Sequence, residues 1–123
     1  MILISSRGGG IAIFDNNHIG PESGVQQSRI IILDPESDST EIWYTGNDAD
    51  PFYTKIMGKQ QWLKNGNLLL TDAVNGRAIE VNPEGKVVWE FVNIIADGQV
   101  GIVEKMQRLP EKFNTLFPAT CAN

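Results

Sequence analysis

One histidine, His18, and one cysteine, Cys121, bound the chemistry open to this chain of 123 residues. A single imidazole cannot build a site that needs two, and one of each residue is too few for a Cys/His zinc centre. A lone cysteine closes no intramolecular disulfide, and no base or cation beside Cys121 marks it as a reactive thiolate. What remains is His18 as a nucleophile or proton carrier, Arg77 as a cation for an anionic ligand, and Asp48 and Asp50 as oxygen donors. Each also has a plainer reading. His18 closes the polar run Asp15-Asn16-Asn17-His18, where an imidazole is ordinarily solvated surface. Arg77 follows the dipeptide Asn75-Gly76, and a rim salt bridge with Asp72 accounts for it equally well. Two carboxylates fall short of the roughly six to eight oxygens that calcium takes, so Asp48 and Asp50 read as a solvated acidic loop. The run Gly8-Gly9-Gly10 and the glycines at 98 and 101 do not open a helix after a strand, so neither forms a phosphate loop. No metal and no cofactor is expected.

The elements that must position these residues are short strands. Lys64-Asn65-Gly66-Asn67 carries the Asn-Gly signal of a tight hairpin, read as a two-residue type I′ turn with positive φ at both central positions. Asn75-Gly76 and Pro83-Glu84-Gly85 follow at roughly nine- to ten-residue intervals. They divide the middle of the chain into strands over 60–63, 67–72, 77–81 and 86–91, a four-stranded antiparallel meander. The same unit recurs earlier in looser form. Ile30-Ile31-Ile32-Leu33-Asp34-Pro35-Glu36 aligns with Ala78-Ile79-Glu80-Val81-Asn82-Pro83-Glu84, Ile42-Trp43 with Val88-Trp89, and Ile11 through Asp15 with Leu68 through Asp72. The first copy carries a longer loop, 16–27. A third, partial copy begins at Gln107-Arg108-Leu109-Pro110, which matches Gln61-Trp62-Leu63-Lys64. A repeat of about 46–48 residues made of four strands has the size of a β-propeller blade.

The segment Gly58-Lys-Gln-Gln-Trp-Leu-Lys-Asn-Gly-Asn-Leu-Leu-Leu-Thr71, with Gly76-Arg-Ala-Ile-Glu-Val81 and Glu84-Gly-Lys-Val-Val-Trp-Glu-Phe91, resembles the arylsulfotransferase-like propeller family. Ile13-Phe14-Asp15-Asn16 and Phe52-Tyr53-Thr54 resemble the same family's recurring segments. The resemblance covers most of the chain, and its motifs are turn glycines, strand apolars and a packing tryptophan, which report fold. It implies transfer of sulfate between phenols through a histidine nucleophile, with further histidines and an arginine holding the sulfuryl group. This chain has His18 alone.

These readings give an all-β chain of two four-stranded antiparallel propeller-type blades and a C-terminal strand. Residues 1–58 form the first blade with its long loop and connector, 59–93 the second blade, and 94–123 the trailing strand and tail. The trailing strand is placed over 100–109, with a helix over 101–109 as its rival. In a blade both sheet faces are buried, so strands read as continuous apolar runs, as residues 30–33 and 68–70 do. Trp43, Trp62 and Trp89 are expected to fill the wedges between sheets. Two blades cannot close a ring by themselves and leave open faces. Closure by oligomerisation, most simply as a homotrimer, is therefore expected.

Alternation of strand direction puts the loop 16–27, the turn 73–76 and the connector 46–58 on one rim. That rim gathers His18, Asp48, Asp50, Tyr53 and Arg77, the candidate ligand-binding residues, and His18 is the candidate for catalysis. Their partner would be a small anionic or aromatic ligand. Lysine plus arginine number 10 against 15 aspartates and glutamates, a net charge of −5. That balance excludes the basic face of a nucleic-acid binder. No apolar run approaches a membrane span or a signal peptide, which points to a cytoplasmic chain away from membranes. The function read from this is a non-catalytic binding or interaction module on an arylsulfotransferase-like scaffold. Its rivals are a sulfotransferase-like enzyme with a site shared between subunits, and a decayed propeller fragment without activity.

Overall fold

Three glycines set the turns of the second half of the chain. Gly66, Gly76 and Gly85 hold φ of 87°, 62° and 80°, while Asn65 is not among the positive-φ residues. The hairpin at Asn65-Gly66 is therefore not the expected type I′ turn. Leu63 accepts from the Gly66 amide at 3.0 Å and donates to Asn67 O at 2.9 Å. This closes a three-residue loop in which a turn is followed by one left-handed glycine. The turn after Asn82 has the same pattern, with Gly85 N donating to Asn82 O and Asn82 N to Lys86 O, both at 2.9 Å.

A computed structural model describes residues 2–7, 9–18 and 26–117. Its strands are β1 (Ile2–Arg7), β2 (Gly10–Asp15), β3 (Arg29–Asp34), β4 (Ser39–Thr45), β5 (Lys59–Trp62), β6 (Leu68–Asp72), β7 (Arg77–Val81), β8 (Val87–Val92), β9 (Ile94–Ala96) and β10 (Gln99–Val100). Strands β1 to β4 form one four-stranded sheet in chain order, and β5 to β8 form a second. Every pairing is antiparallel. A short 3₁₀ helix, Glu111–Leu116, is the one helical element among the described residues. None is long and apolar enough to cross a membrane. The chain is all-β, as its turn spacing predicts.

The two sheets pack face to face. Phe14, Ile30 and Tyr44 from sheet 1 meet Leu68, Leu70, Ile79 and Val81 from sheet 2, with Phe52 of the connector between them. The register explains the choice. Phe14 lies opposite Ile30, Leu68 opposite Val81 and Leu70 opposite Ile79, so each set shares one face of its sheet. Trp43 and Trp62 meet edge-on across the seam, ring centroids 4.8 Å apart. Trp89 does not. It lies opposite Glu80 on the far face of sheet 2 and is 42% exposed.

The apolar runs behave differently in the two sheets. All of β6 is buried, as expected of a strand covered on both faces. In β3 only Ile30 is buried, while Ile31, Ile32 and Leu33 are partly exposed. Ile31 and Leu33 pair with Ile13 and Ile11 on the face turned away from sheet 2. No described residue packs a further sheet there.

The trailing segment departs from both expectations. Strands β9 and β10 make a two-stranded hairpin ending at Val100, and residues 101–110 form neither strand nor helix. Their backbone instead bonds to sheet 2. Val103 N donates to Ala73 O at 3.2 Å, Met106 N to Thr71 Oγ1 at 2.9 Å, and Arg108 N to Gln61 Oε1 at 2.7 Å. Side chains on β5 and β6 take the amides that a ladder or a helix would use. Cys121 and the middle of the loop 16–27 lie outside the described residues.

Candidate functional site

His18, Asp48, Asp50 and Tyr53 sit on loops, and Arg77 opens β7. Asn17 adopts a left-handed φ of 52°. Its amide donates to Asp15 Oδ1 at 2.8 Å and its Nδ2 to Gln27 O at 2.9 Å. These bonds close the neck of the loop and bring His18 out at the rim. On the connector, Phe52 and Thr54 are buried and Tyr53 is not, an alternation that turns the phenol outward. Phe52 locks the segment by meeting Phe14 edge-on and stacking on Tyr44. Thr54 locks it by accepting the Val74 amide at 3.2 Å and donating to Ile56 O at 2.6 Å. Below the rim, Asn16 Nδ2 donates to Thr54 O at 2.7 Å and to Met57 O at 2.8 Å. Ser28 Oγ takes the Thr54 amide at 3.0 Å. These buried polar side chains fasten the connector to sheet 1.

Two groups result. In the first, His18 Nδ1 and the Tyr53 hydroxyl are 2.6 Å apart, with the rings edge-on at 6.3 Å. The contact occupies one imidazole nitrogen and leaves Nε2 for a ligand or a proton. In the second, Arg77 donates from Nε to Asp72 at 2.8 Å and from one terminal nitrogen to Glu90 at 2.9 Å and Asp50 at 3.4 Å. The other terminal nitrogen donates to Pro51 O. Asn75 bridges the groups, donating from Nδ2 to Tyr53 O at 2.7 Å and to the Asp72 carboxylate at 3.0 and 3.1 Å.

The electrostatics of the second group follow from burial. The Asp72 side chain has no exposed surface. Desolvation pushes its carboxyl above the usual range, against the pull of Arg77 and Asn75. Burial also works against the Arg77 cation, but the bonds from Asp72, Glu90 and Asp50 outweigh it and hold the guanidinium charged. Tyr44, beneath the connector, is pushed up to about 12, chiefly by burial. Asp48 lies exposed on the turn that Asn47 caps and joins neither group. Among the described residues, no three His, Cys, Asp or Glu side chains gather as a metal ion needs.

Residues 4–94 match the family model of the arylsulfotransferases (ASST). The chain belongs to that family. The match runs from within β1 through the rest of both four-stranded sheets and every candidate side chain, and it ends at the first residue of β9. No curated protein and no solved structure matches the chain.

The arylsulfotransferase membership sharpens what the geometry can do. Arg77 is committed to three carboxylates and a carbonyl, so it is a strut of the rim. Asp72, Asp50, Glu90 and Pro51 hold it there, and neither Glu90 nor Pro51 is legible in the sequence as its partner. Asn75 reads as a turn residue, which it is, and nothing in its type announces the second bond to the connector. Glu90 lies two residues before Val92, the register partner of Arg77, in no obvious motif, and becomes visible only through the pairing of β8 with β7.

Proposed function

We propose that this chain is a binding and assembly module on the arylsulfotransferase scaffold, its two sheets acting as two propeller-type blades that join copies head to tail. The observation that carries this reading is the apolar character of both outward sheet faces. On sheet 1, Ile11, Ile13, Ile31 and Leu33 are partly exposed and Ile42 is 55% exposed. On sheet 2, Trp89 and Phe91 are 42% and 40% exposed beside Leu69. Each face resembles half of the core the two sheets already share, and apolar faces of this kind mark interaction surfaces. The Asp15–Arg29 pair at 2.5 Å and the Asp72–Arg77 pair at 2.8 Å join β2 to β3 and β6 to β7 at the same rim, which supports reading the sheets as copies of one unit. A closed ring of three copies is the simplest assembly, and the rim pair His18 and Tyr53 would receive a small anionic or aromatic ligand. Light scattering over a concentration series tests this. A mass rising toward three times 13.6 kDa is expected; a mass that stays at one chain at every concentration overturns it.

A second reading rests on the 2.6 Å contact between His18 and Tyr53. Tyr53 fixes the ring, so Nε2 is presented at the rim as a nucleophile for sulfuryl transfer from an aryl sulfate to a phenol. The Ring assembly would bring further copies of His18 to one centre. Under this reading His18→Ala abolishes transfer with assembly unchanged, and transfer that survives the substitution rejects it.

A further inference from the structure

Strand β5 is flanked on both sides, and the two flanks are alike. On one side lies β1 of sheet 1. Gln60 reaches that way, donating to Ala12 O at 3.2 Å. On the other side lie residues 103–110, and Gln61 reaches to them. Its amide donates to Arg108 O at 3.1 Å and accepts from Arg108 N at 2.7 Å, pairing with that residue as a neighbouring strand would. The directions also agree. Strand β1 starts opposite Asp15 and β5 starts opposite Thr71, both at the rim that holds His18. The trailing segment enters at the same rim, where Val103 bonds Ala73, and leaves at the far end, where Glu111 lies 3.8 Å from Lys64. Its root is fixed by Asn93, whose amide donates to Gly76 O at 2.7 Å and whose carbonyl accepts from Gly101 at 2.9 Å. Residues 103–110 thus run along the outer face of sheet 2 on the track that the first strand of a further sheet 1 would take.

What holds them there is polar and thin. Arg108 donates to Glu80 at 2.9 Å, and Met106 N to Thr71 Oγ1. No side chain from 101 to 117 is fully buried, and Ile102, Leu109, Leu116 and Phe117 are each more than half exposed. A shallow groove of about 460 Å³ remains beside the segment, lined by Leu69, Trp89, Met106 and Phe113. A segment with few buried apolar contacts opens at low cost. A whole sheet face laid on Leu69, Trp89 and Phe91 would bury far more apolar area.

We propose that residues 103–110 gate the outer face of sheet 2, lying where β1 of a second copy would lie and yielding to the outer face of that copy's sheet 1. The gate rests on the assembly reading above and adds its control. Association then requires the segment to leave its track, and anything that loosens it promotes association.

Gln61→Ala removes both bonds to Arg108. The expected result is a half-association concentration lowered about tenfold or more, the size of two lost hydrogen bonds, with the far-ultraviolet spectrum unchanged. Equal association of the two proteins overturns the gate and leaves the assembly reading standing. Weaker association of the variant also overturns it, because the segment then belongs to the interface. If neither protein associates, the assembly reading falls and the gate with it. Hydrogen exchange on the unaltered chain gives a second measure. The Met106 and Arg108 amides should lose protection as concentration rises while those of β6 and β7 keep theirs. Protection at Met106 and Arg108 that holds or grows on association overturns the gate.

Discussion

Arg77 donates to three carboxylates and a main-chain carbonyl, and this crowding decides what a substitution there does. Its side chain is 13% exposed and that of Asp72 0%. Arg77→Met leaves the buried carboxylate without its cation, and breaking such a pair from one side costs about 3–5 kcal/mol. Urea unfolding at neutral pH should show a loss of that size. The loss should shrink as the pH falls. Asp72 already lies above the usual carboxylate range through burial, so the folded variant takes up a proton before the unfolded chain does, and acid favours folding at this site. His18→Ala should move stability by less than about 0.5 kcal/mol, because its contact with Tyr53 is exposed. The pair therefore separates strut from surface. Asp72 is legible in the sequence as a partner for Arg77, because a four-residue turn with a glycine joins the ends of β6 and β7. Glu90 and Pro51 are not, since those contacts depend on the register of β8 and the path of the connector.

At the scale of elements, the turn glycines located most strand ends, and they differ in what they tolerate. Gly66 has φ of 87° with open space around it, whereas Gly58 has φ of 104° and an added Cβ would lie 2.5 Å from the Phe14 ring. Gly66→Ala should cost about 1–2 kcal/mol, the strain of a left-handed alanine alone. Gly58→Ala adds a clash with a core aromatic and should cost clearly more in the same unfolding experiment. The trailing segment was the element least legible in sequence. Its strand signal only narrowly exceeds its helix signal, and the outcome is set by Gln61, Thr71 and Glu80 on β5, β6 and β7. Glu80 also makes that segment sensitive to acid. Burial works to raise its carboxyl, but bonds from Asn67, Arg108 and Asn65 outweigh burial and hold it below its usual 4.5. A lowered carboxylate contributes stability above 4.5 that is lost as the pH falls through the lowered value. Measured against the intrinsic exchange rate at each pH, the Arg108 amide should therefore lose protection as the pH falls below 4.5, while amides in the centre of β6 keep theirs.

At the scale of the molecule, the two open faces are different surfaces, and that difference fixes the symmetry of any assembly they make. Sheet 1 offers isoleucines and a leucine from β2, β3 and β4, while sheet 2 offers Trp89 and Phe91 from β8. A contact between unlike faces is heterologous, and each copy uses one face of each kind. Ile42→Asp should spoil the first face and Trp89→Asp the second, because a carboxylate buried in an apolar contact has no partner there. Alone, each variant should remain a single chain at concentrations where the unaltered protein assembles. Mixed in equal amounts, they should form a dimer and nothing larger, since one sound sheet 1 face remains for one sound sheet 2 face. A two-fold contact between like faces gives the opposite pattern. Ile42→Asp or Trp89→Asp would then dimerise alone through the face it keeps, and mixing would add nothing. Sedimentation of the two variants and their mixture separates the cases without any knowledge of a ligand, and it decides whether a ring of blades is the right picture of this chain.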